Sequence, residues 1–464
     1  MTQVTLMTRK SIHMTAQNLS STTADSWTPA KRRTARRAAL AGGVGTLIEY
    51  YDFSLYGYLA VVIAPIYFPS DEPVVSLLSA LAVFGTAYLV RPLGGIVFGH
   101  VGDRLGRKKA LMATLVCMGV GSTAMGLLPT PAQIGVWATV LLVLVRLLQG
   151  FSAGGEVGGS ATFISESAPS HLKATYGAFT PMGSTGGFAL AAAVAGAVSA
   201  LTTDASMDSW GWRVPFLLAL PLTVFCLWIR TRVEETHDAD GGLGKSASGA
   251  FDAHESSAPL SAVFLKQPRA LAQATALSAA VNGTAYIGLT YMAIHLTKQL
   301  GYDSTSVFWV ATLAIGIAAL AMPLAGVLGD RIGTVRLMTI GFVGFVALTY
   351  PMMGLMHHGI VVATLAFVVI MLNSTATQVG VYTIIPQFFD KRSRYTGVAM
   401  GWNLGVIIAG GTAPFVAVWL VERTGNILSP AFFVMVLAVA GLVALATVRA
   451  RHHTSTGLTT EPAR

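Results

Sequence analysis

About twelve stretches of roughly 20 mainly apolar residues recur along this chain, each long enough to bridge about 30 Å of hydrocarbon at 1.5 Å per helical residue. In the first half they run over 38–65, 76–98, 109–128, 134–165, 175–200 and 211–229. In the second they run over 270–297, 306–327, 336–356, 360–388, 396–421 and 430–448. Such segments leave a chain little choice. In lipid every backbone N–H and C=O must be bonded internally, so each run predicts a membrane-crossing helix. Composition agrees: 53% of the 464 residues are apolar and only 11% charged, which excludes a disordered chain and an ordinary soluble enzyme. Cys117 and Cys226 lie in apolar runs without CxxC spacing, so neither a disulfide framework nor a zinc site is expected. The formal charge of +9 falls in short clusters between apolar runs. That placement points to a bilayer and away from nucleic acid.

Lys31, Arg32, Arg33, Arg36 and Arg37 precede the first run, and Arg104, Arg107, Lys108 and Lys109 follow the second. Counting alternate connections, Lys173, Arg230, Arg232, Lys266, Arg269, Arg331, Arg336, Lys391, Arg392, Arg394, Arg449 and Arg451 share that side, with Lys298 and Arg423 nearly alone opposite. The positive-inside rule then predicts both termini in the cytoplasm and an even helix number. The expected organisation is a cytoplasmic tail (1–37), a six-helix bundle (38–232), a polar linker (233–268), a second six-helix bundle (269–448) and a cytoplasmic tail (449–464). No cleavable signal peptide is expected, since the first run is too long and contains Glu49 and Asp52. Gly244-Lys245-Ser246 in the linker lacks the earlier glycine and strand of a phosphate loop, so no nucleotide site is read there.

One motif is duplicated. Gly99-His-Val-Gly102-Asp103-Arg104-Leu-Gly106-Arg107-Lys108 returns as Gly326-Val-Leu-Gly329-Asp330-Arg331-Ile-Gly333, offset by 227 residues, close to half the chain. Two related halves follow, an arrangement that builds transporters with the site midway between them. Each residue type suits a tight turn that latches helices. Glycines permit close approach and positive φ, the aspartate accepts from exposed helix N–H groups, and arginines reach carboxylates or lipid phosphates. Gly99, Gly102, Asp103, Arg104, Gly106, Arg107, Asp330, Arg331 and Arg394 are therefore the expected cytoplasmic gate.

Glu49, Asp52, Arg91, Arg146 and Glu156 lie inside the runs. Unpaired, they imply a penalty on the order of 12–17 kcal/mol on the insertion scale, so they must be paired or line a wet cavity. Glu49 and Asp52 share a helix face roughly 16–21 Å from the inner end, and Arg146 sits at a matching depth. The second half offers only neutral polar groups at comparable depth. His-Glu-x-x-His does not occur, and the Gly-x-Ser-x-Gly spacing at Gly150-Phe151-Ser152-Ala153-Gly154 lies inside an apolar run without the preceding strand of a nucleophile elbow, so no enzyme is expected. His357-His358 lacks further metal ligands nearby, and no metal or cofactor is expected.

The chain resembles the major facilitator superfamily, and within it the metabolite:proton symporter branch. The resemblance rests on the duplicated loop, on Glu49-Tyr50-Tyr51-Asp52-Phe53-Ser54-Leu55-Tyr56-Gly57, on Arg91-Pro92-Leu93-Gly94-Gly95, and on Arg146-Leu-Leu-Gln149-Gly150 through Gly155-Glu156. It also rests on Trp210-Gly-Trp-Arg213-Val-Pro215-Phe216 and Arg394-Tyr395. It implies an all-α membrane protein of twelve transmembrane helices in two pseudo-symmetric six-helix bundles. It further implies a functional monomer in a bacterial inner membrane that imports a small carboxylate or zwitterion, such as proline, a betaine or an organic acid, with protons. An efflux antiporter of the same superfamily is the competing reading. Asp52 is the expected proton carrier with Arg146 as its alternating counter-ion, a placement similar to that in sugar:proton symporters; Glu49 and Glu156 are rival carriers. Substrate contacts are expected from Tyr51, Tyr56, Arg91, Gln149, Tyr286, Gln378 and Asn403, with Arg91 alternatively bracing Glu156 or the gate.

Overall fold

The apolar runs are helices in the computed structural model of the chain, which describes residues 29–105, 107–154, 171–228, 260–390 and 393–456. In the first half α1 is Pro29–Tyr67, and α2 is Pro73–Leu89 continued beyond Val90 by Arg91–Leu105. Next come α3, Arg107–Leu127, α4, Val136–Ala153, and α5, Lys173–Leu201. α6 is Asp204–Gly211 with Arg213–Trp228, bent by 40° between them. In the second half α7 begins as Pro268–Tyr286 and continues through a π turn at Ile287–Tyr291, Met292–Ile294 and a second π turn at His295–Gln299. α8 is Ser304–Ile332, α9 Thr334–Leu355 and α10 Ile360–Ile384. α11 is Arg394–Gly405, a π turn at Val406–Gly410 and Ala413–Thr424, and α12 is Ser429–Thr456.

Among the described residues nine helices are long and apolar enough to cross a bilayer, and the bent pair of α6 makes a tenth. α3, with the shorter apolar stretch Met112–Leu127, and α7, divided by its π turns, complete the twelve. Local chemistry explains the ends. Pro73 and Pro268 open α2 and α7, where a missing N–H removes no helical bond. Asp303 caps α8 by accepting from Ser306 N at 2.9 Å. The turn from α8 to α9 is the single residue Gly333 with φ 92°, a conformation that costs a side chain with Cβ energy. Arg213 of the Trp-Arg-Val-Pro motif donates to the carbonyl oxygens of Gly126 and Leu128, placing a cation on the carbonyl end of α3.

The polar connection at 233–268 contains a short helix, Leu260–Lys266, which buries Val263 and leaves Phe264 and Leu265 exposed. α4 is described only as far as Gly154, so the expected continuation to 165 lies outside the described residues, as do 1–28, 229–259 and 457–464.

The described residues from 39 onward form one compact unit. In its span α1 is 83% buried, against 39% for α4, α9 and α12; α1 is therefore central, and those three turn one face outward. Leu201, Leu320, Leu324 and Val361 stand exposed, as lipid-facing side chains must. The halves meet along α5 and α8 and along α2 and α11. Small residues set these seams: a Cβ on Gly326 of α8 would lie 2.7 Å from the Ala174 carbonyl oxygen of α5.

Candidate transport site and gate

The centre is built around α1, whose Glu49, Tyr50, Tyr51, Asp52, Phe53 and Tyr56 are all buried. These residues turn to different neighbours. Tyr51 donates to the Pro215 carbonyl oxygen of α6 at 2.8 Å and so braces the first half. Glu49 meets α2, with Arg91 Nη2 3.9 Å from its Oε1. The Arg91 guanidinium lies 4.5 Å from the Phe53 ring centre and 4.8 Å from that of Tyr88.

A second guanidinium, Arg146 of α4, rests 4.4 Å from the Tyr56 ring centre and 4.9 Å from the same Phe53 ring. Its Nη1 donates to Gln149 Oε1 at 3.0 Å, and Gln149 Nε2 donates to Ser122 Oγ at 2.8 Å. The Asp52–Arg146 pairing suggested by matching depth is not formed in this conformation. Counting residues gives depth but not rotation about the helix axis, and Arg146 is engaged by its own helix and by aromatic rings. Both Asp52 carboxylate oxygens are buried without a hydrogen-bond partner. Three Arg91 nitrogens, and Nε and Nη2 of Arg146, are likewise buried without hydrogen-bond partners.

The second half supplies rings and neutral groups. Tyr88 of α2 donates to the Tyr286 hydroxyl of α7 at 2.8 Å. Tyr382 of α10 packs against Trp402 of α11 with ring centres 4.8 Å apart. Gln378 and Asn403 are buried, and Asn403 Oδ1 has no hydrogen-bond partner. Tyr88, Phe53, Phe84 and Trp402 are absent from the site residues expected from sequence, which counted Tyr382 only among the neutral polar groups of the second half. A signal was available on α2, where Phe84, Tyr88 and Arg91 are spaced i, i+4, i+7 on one helix face.

At the expected gate the second copy of the duplicated motif lies wholly among the described residues. Asp330 Oδ1 accepts from Ala174 N at 2.8 Å, and Oδ2 accepts from Thr175 N at 2.9 Å and from the Thr175 hydroxyl at 2.6 Å. A carboxylate from α8 thus satisfies free N–H groups in the first turn of α5, where the helix dipole also favours negative charge. Arg104 and Arg331 are exposed, and Arg394 is half-buried at the start of α11. Gly106 and Glu156 lie outside the described residues, as do the side chains of Asp103 and Arg107 and the surroundings of Gly99 and Gly102.

Twelve apolar helices in two halves, closed over a buried centre of acids, arginines and aromatic rings, define a multi-pass membrane carrier. The family model of the Major Facilitator Superfamily matches residues 42–410 and 274–463, and the chain belongs to that superfamily of transporters. It is 34% identical over 414 residues to the proline/betaine transporter of Salmonella typhimurium, covering 88% of this chain and 82% of that one. It is 35% identical over 423 residues to the ectoine/proline transporter of Corynebacterium glutamicum, covering 88% and 83%. It is also 35% identical over 407 residues to the shikimate transporter of Escherichia coli, covering 86% and 91%. The xylose transporter of E. coli, in a partially occluded inward-open conformation, shares the fold with a TM-score of 0.65 at 18% identity, covering 89% and 96%.

Proposed function

We propose that this protein is a proton-coupled symporter that imports a small zwitterionic, carboxylate-bearing metabolite by alternating access. The observation that carries the reading is the pairing of unsatisfied guanidinium N–H groups with aromatic rings at one depth. Arg91 and Arg146 offer donors for a carboxylate. Phe53, Tyr88, Tyr286, Tyr382 and Trp402 offer ring faces to a cationic head, which an aromatic ring attracts through its quadrupole. A betaine or a cyclic amino acid presents both groups within a few bonds. A shikimate-like anion would use the arginines alone.

Asp52 is the proposed proton carrier. An ionised carboxylate buried without a partner costs several kcal/mol, so its surroundings suit a neutral, protonated acid. Glu49, paired with Arg91, is suited to hold charge while the carrier is closed. Arrival of the substrate carboxylate at Arg91 then competes with Glu49 and loosens the seat that holds the centre shut. Each chain contains its own centre, which supports a functional monomer. The basic residues at one end of the helices support an inner-membrane orientation with both termini cytoplasmic.

The test is uptake of radiolabelled proline, glycine betaine, ectoine and shikimate into proteoliposomes under an imposed pH gradient, with a lumenal pH dye. Symport predicts uptake that acidifies the lumen and is abolished by a protonophore. Uptake that alkalinises the lumen replaces symport with antiport. Accumulation without any proton movement rejects the coupling.

A further inference from the structure

The two halves are joined next to Arg91 by a contact unlike the small-residue seams elsewhere. Tyr286 of α7 inserts its ring among three aromatic rings of the first half. Ring centres are 6.4 Å from Phe84, 5.7 Å from Tyr88 and 5.7 Å from Phe188. Its hydroxyl accepts the Tyr88 hydroxyl proton at 2.8 Å, in a site closed to solvent. The Tyr88 ring meanwhile touches Phe53 edge-on at 4.9 Å and lies under the Arg91 guanidinium. One residue therefore contacts the partner half and the charged centre at once.

On the first-half side the helix is interrupted at Val90, two residues beyond Tyr88, and on the second-half side the backbone forms π turns. The regular part of α7 stops at Tyr286, and the π turn Ile287–Tyr291 begins at the next residue. In α11 the π turn Val406–Gly410 ends beside it. A Cβ on Gly410 would stand 3.2 Å from Asn282 and 3.6 Å from Tyr286, and one on Gly411 would lie 2.4 Å from the Tyr88 ring. Gly411 therefore has to be glycine for Tyr88 to reach its partner. A π turn carries one residue more than its ladder accommodates well, and such turns mark places where a helix can change register.

We infer that Tyr88 is a positioning residue whose bond to Tyr286 latches the two halves over Arg91, and that the π turns of α7 and α11 are the segments that yield when this latch opens. The inference rests on the transport reading for its cycle but not for its first test, which needs no substrate.

That test is hydrogen exchange of the full-length protein in nanodiscs, read at 287–291 and 406–410. Tyr88→Phe and Tyr286→Phe each remove one partner of a single buried bond, so each raises exchange in both segments by about five- to tenfold. The double variant goes no further than either single. Gly411→Ala, which places a methyl group where the Tyr88 ring lies, gives the same change without touching a hydroxyl. Tyr58→Phe, which deletes a buried hydroxyl that has no hydrogen-bond partner, leaves both segments as in the wild type. Unchanged exchange in the single variants, or effects that multiply in the double variant, overturns the latch. Should one phenylalanine variant fail to fold, the other and Gly411→Ala decide the matter. Counterflow with whichever of proline, glycine betaine, ectoine or shikimate is carried adds a second reading. Tyr88→Phe and Tyr286→Phe keep the ring faces offered to substrate and so lower turnover severalfold with KM nearly unchanged, whereas a raised KM at full turnover makes the lost hydroxyl a substrate contact and rejects the latch. If no substrate in the panel is carried, the proposed function fails while the exchange result still decides the latch.

Discussion

Arg91 and Arg146 rest against the same Phe53 ring, 4.5 and 4.9 Å from its centre, yet their surroundings differ in kind. Arg91 faces the carboxylate of Glu49 and the cross-half tyrosines, whereas Arg146 is tied to Gln149 within its own helix while Asp52 remains without a hydrogen-bond partner. Both positions look alike in sequence, as one arginine near mid-depth with an acid on α1. The difference teaches that one acid is stabilised by a cation while the other is buried without a hydrogen-bond partner, as the proposed proton carrier requires, and four substitutions can break or sharpen that division.

The largest effect belongs to Arg91→Ala. It removes the cation beside buried Glu49, and truncating one member of such a pair costs about 3–5 kcal/mol. The expected result is a lowered melting temperature of the purified protein and a severe loss of uptake, while Arg146→Ala, which strands no carboxylate, melts closer to wild type. Next is Asp52→Asn. A one-unit pH gradient supplies about 1.4 kcal/mol per proton, enough for about tenfold accumulation. The variant loses that accumulation but retains counterflow. If it still concentrates substrate under the gradient, Asp52 is not the carrier, and Glu49→Gln becomes the variant to test.

A smaller effect follows from Asp330→Asn at the gate. Loss of the charge at the first turn of α5 costs about 1 kcal/mol, read as about fivefold faster hydrogen exchange at Ala174 and Thr175. Smallest is Phe53→Leu, which keeps volume near the two arginines but removes the ring face, worth about 0.5–1 kcal/mol. A rise in KM of about two- to fivefold for a quaternary ammonium substrate, with little change for shikimate, is the expected signature of a ring that meets the cationic head.

Much of this could be read before any coordinates. The long apolar runs, the deep charges and the duplicated Gly-Asp-Arg-Gly turn are properties of consecutive residues, and the helices and the Gly333 turn follow from them. The site was legible in part. Glu49, Asp52, Arg91, Arg146 and Tyr286 all lie in or against the buried centre, because a charge or hydroxyl at mid-depth is costly enough to stand out. Tyr88, Phe53 and Trp402 were not singled out, since an aromatic residue in an apolar helix is indistinguishable from a lipid-facing one until the neighbouring helix is known. The π turns at Ile287–Tyr291 and Val406–Gly410 were also invisible, because they lie where α7 and α11 pack together around Tyr286 and Gly410.

The sequence by itself determined the number of apolar runs long enough to cross a bilayer, the order of the charges along them and where the halves repeat, because hydrophobic length and axial rise are local quantities. Only the tertiary structure decided which acid meets which base. Glu49 and Asp52 are three residues apart and so differ by about 60° around the helix. That rotation, together with the packing of α2, α3 and α4 around α1, brings Arg91 to one acid and leaves the other without a partner.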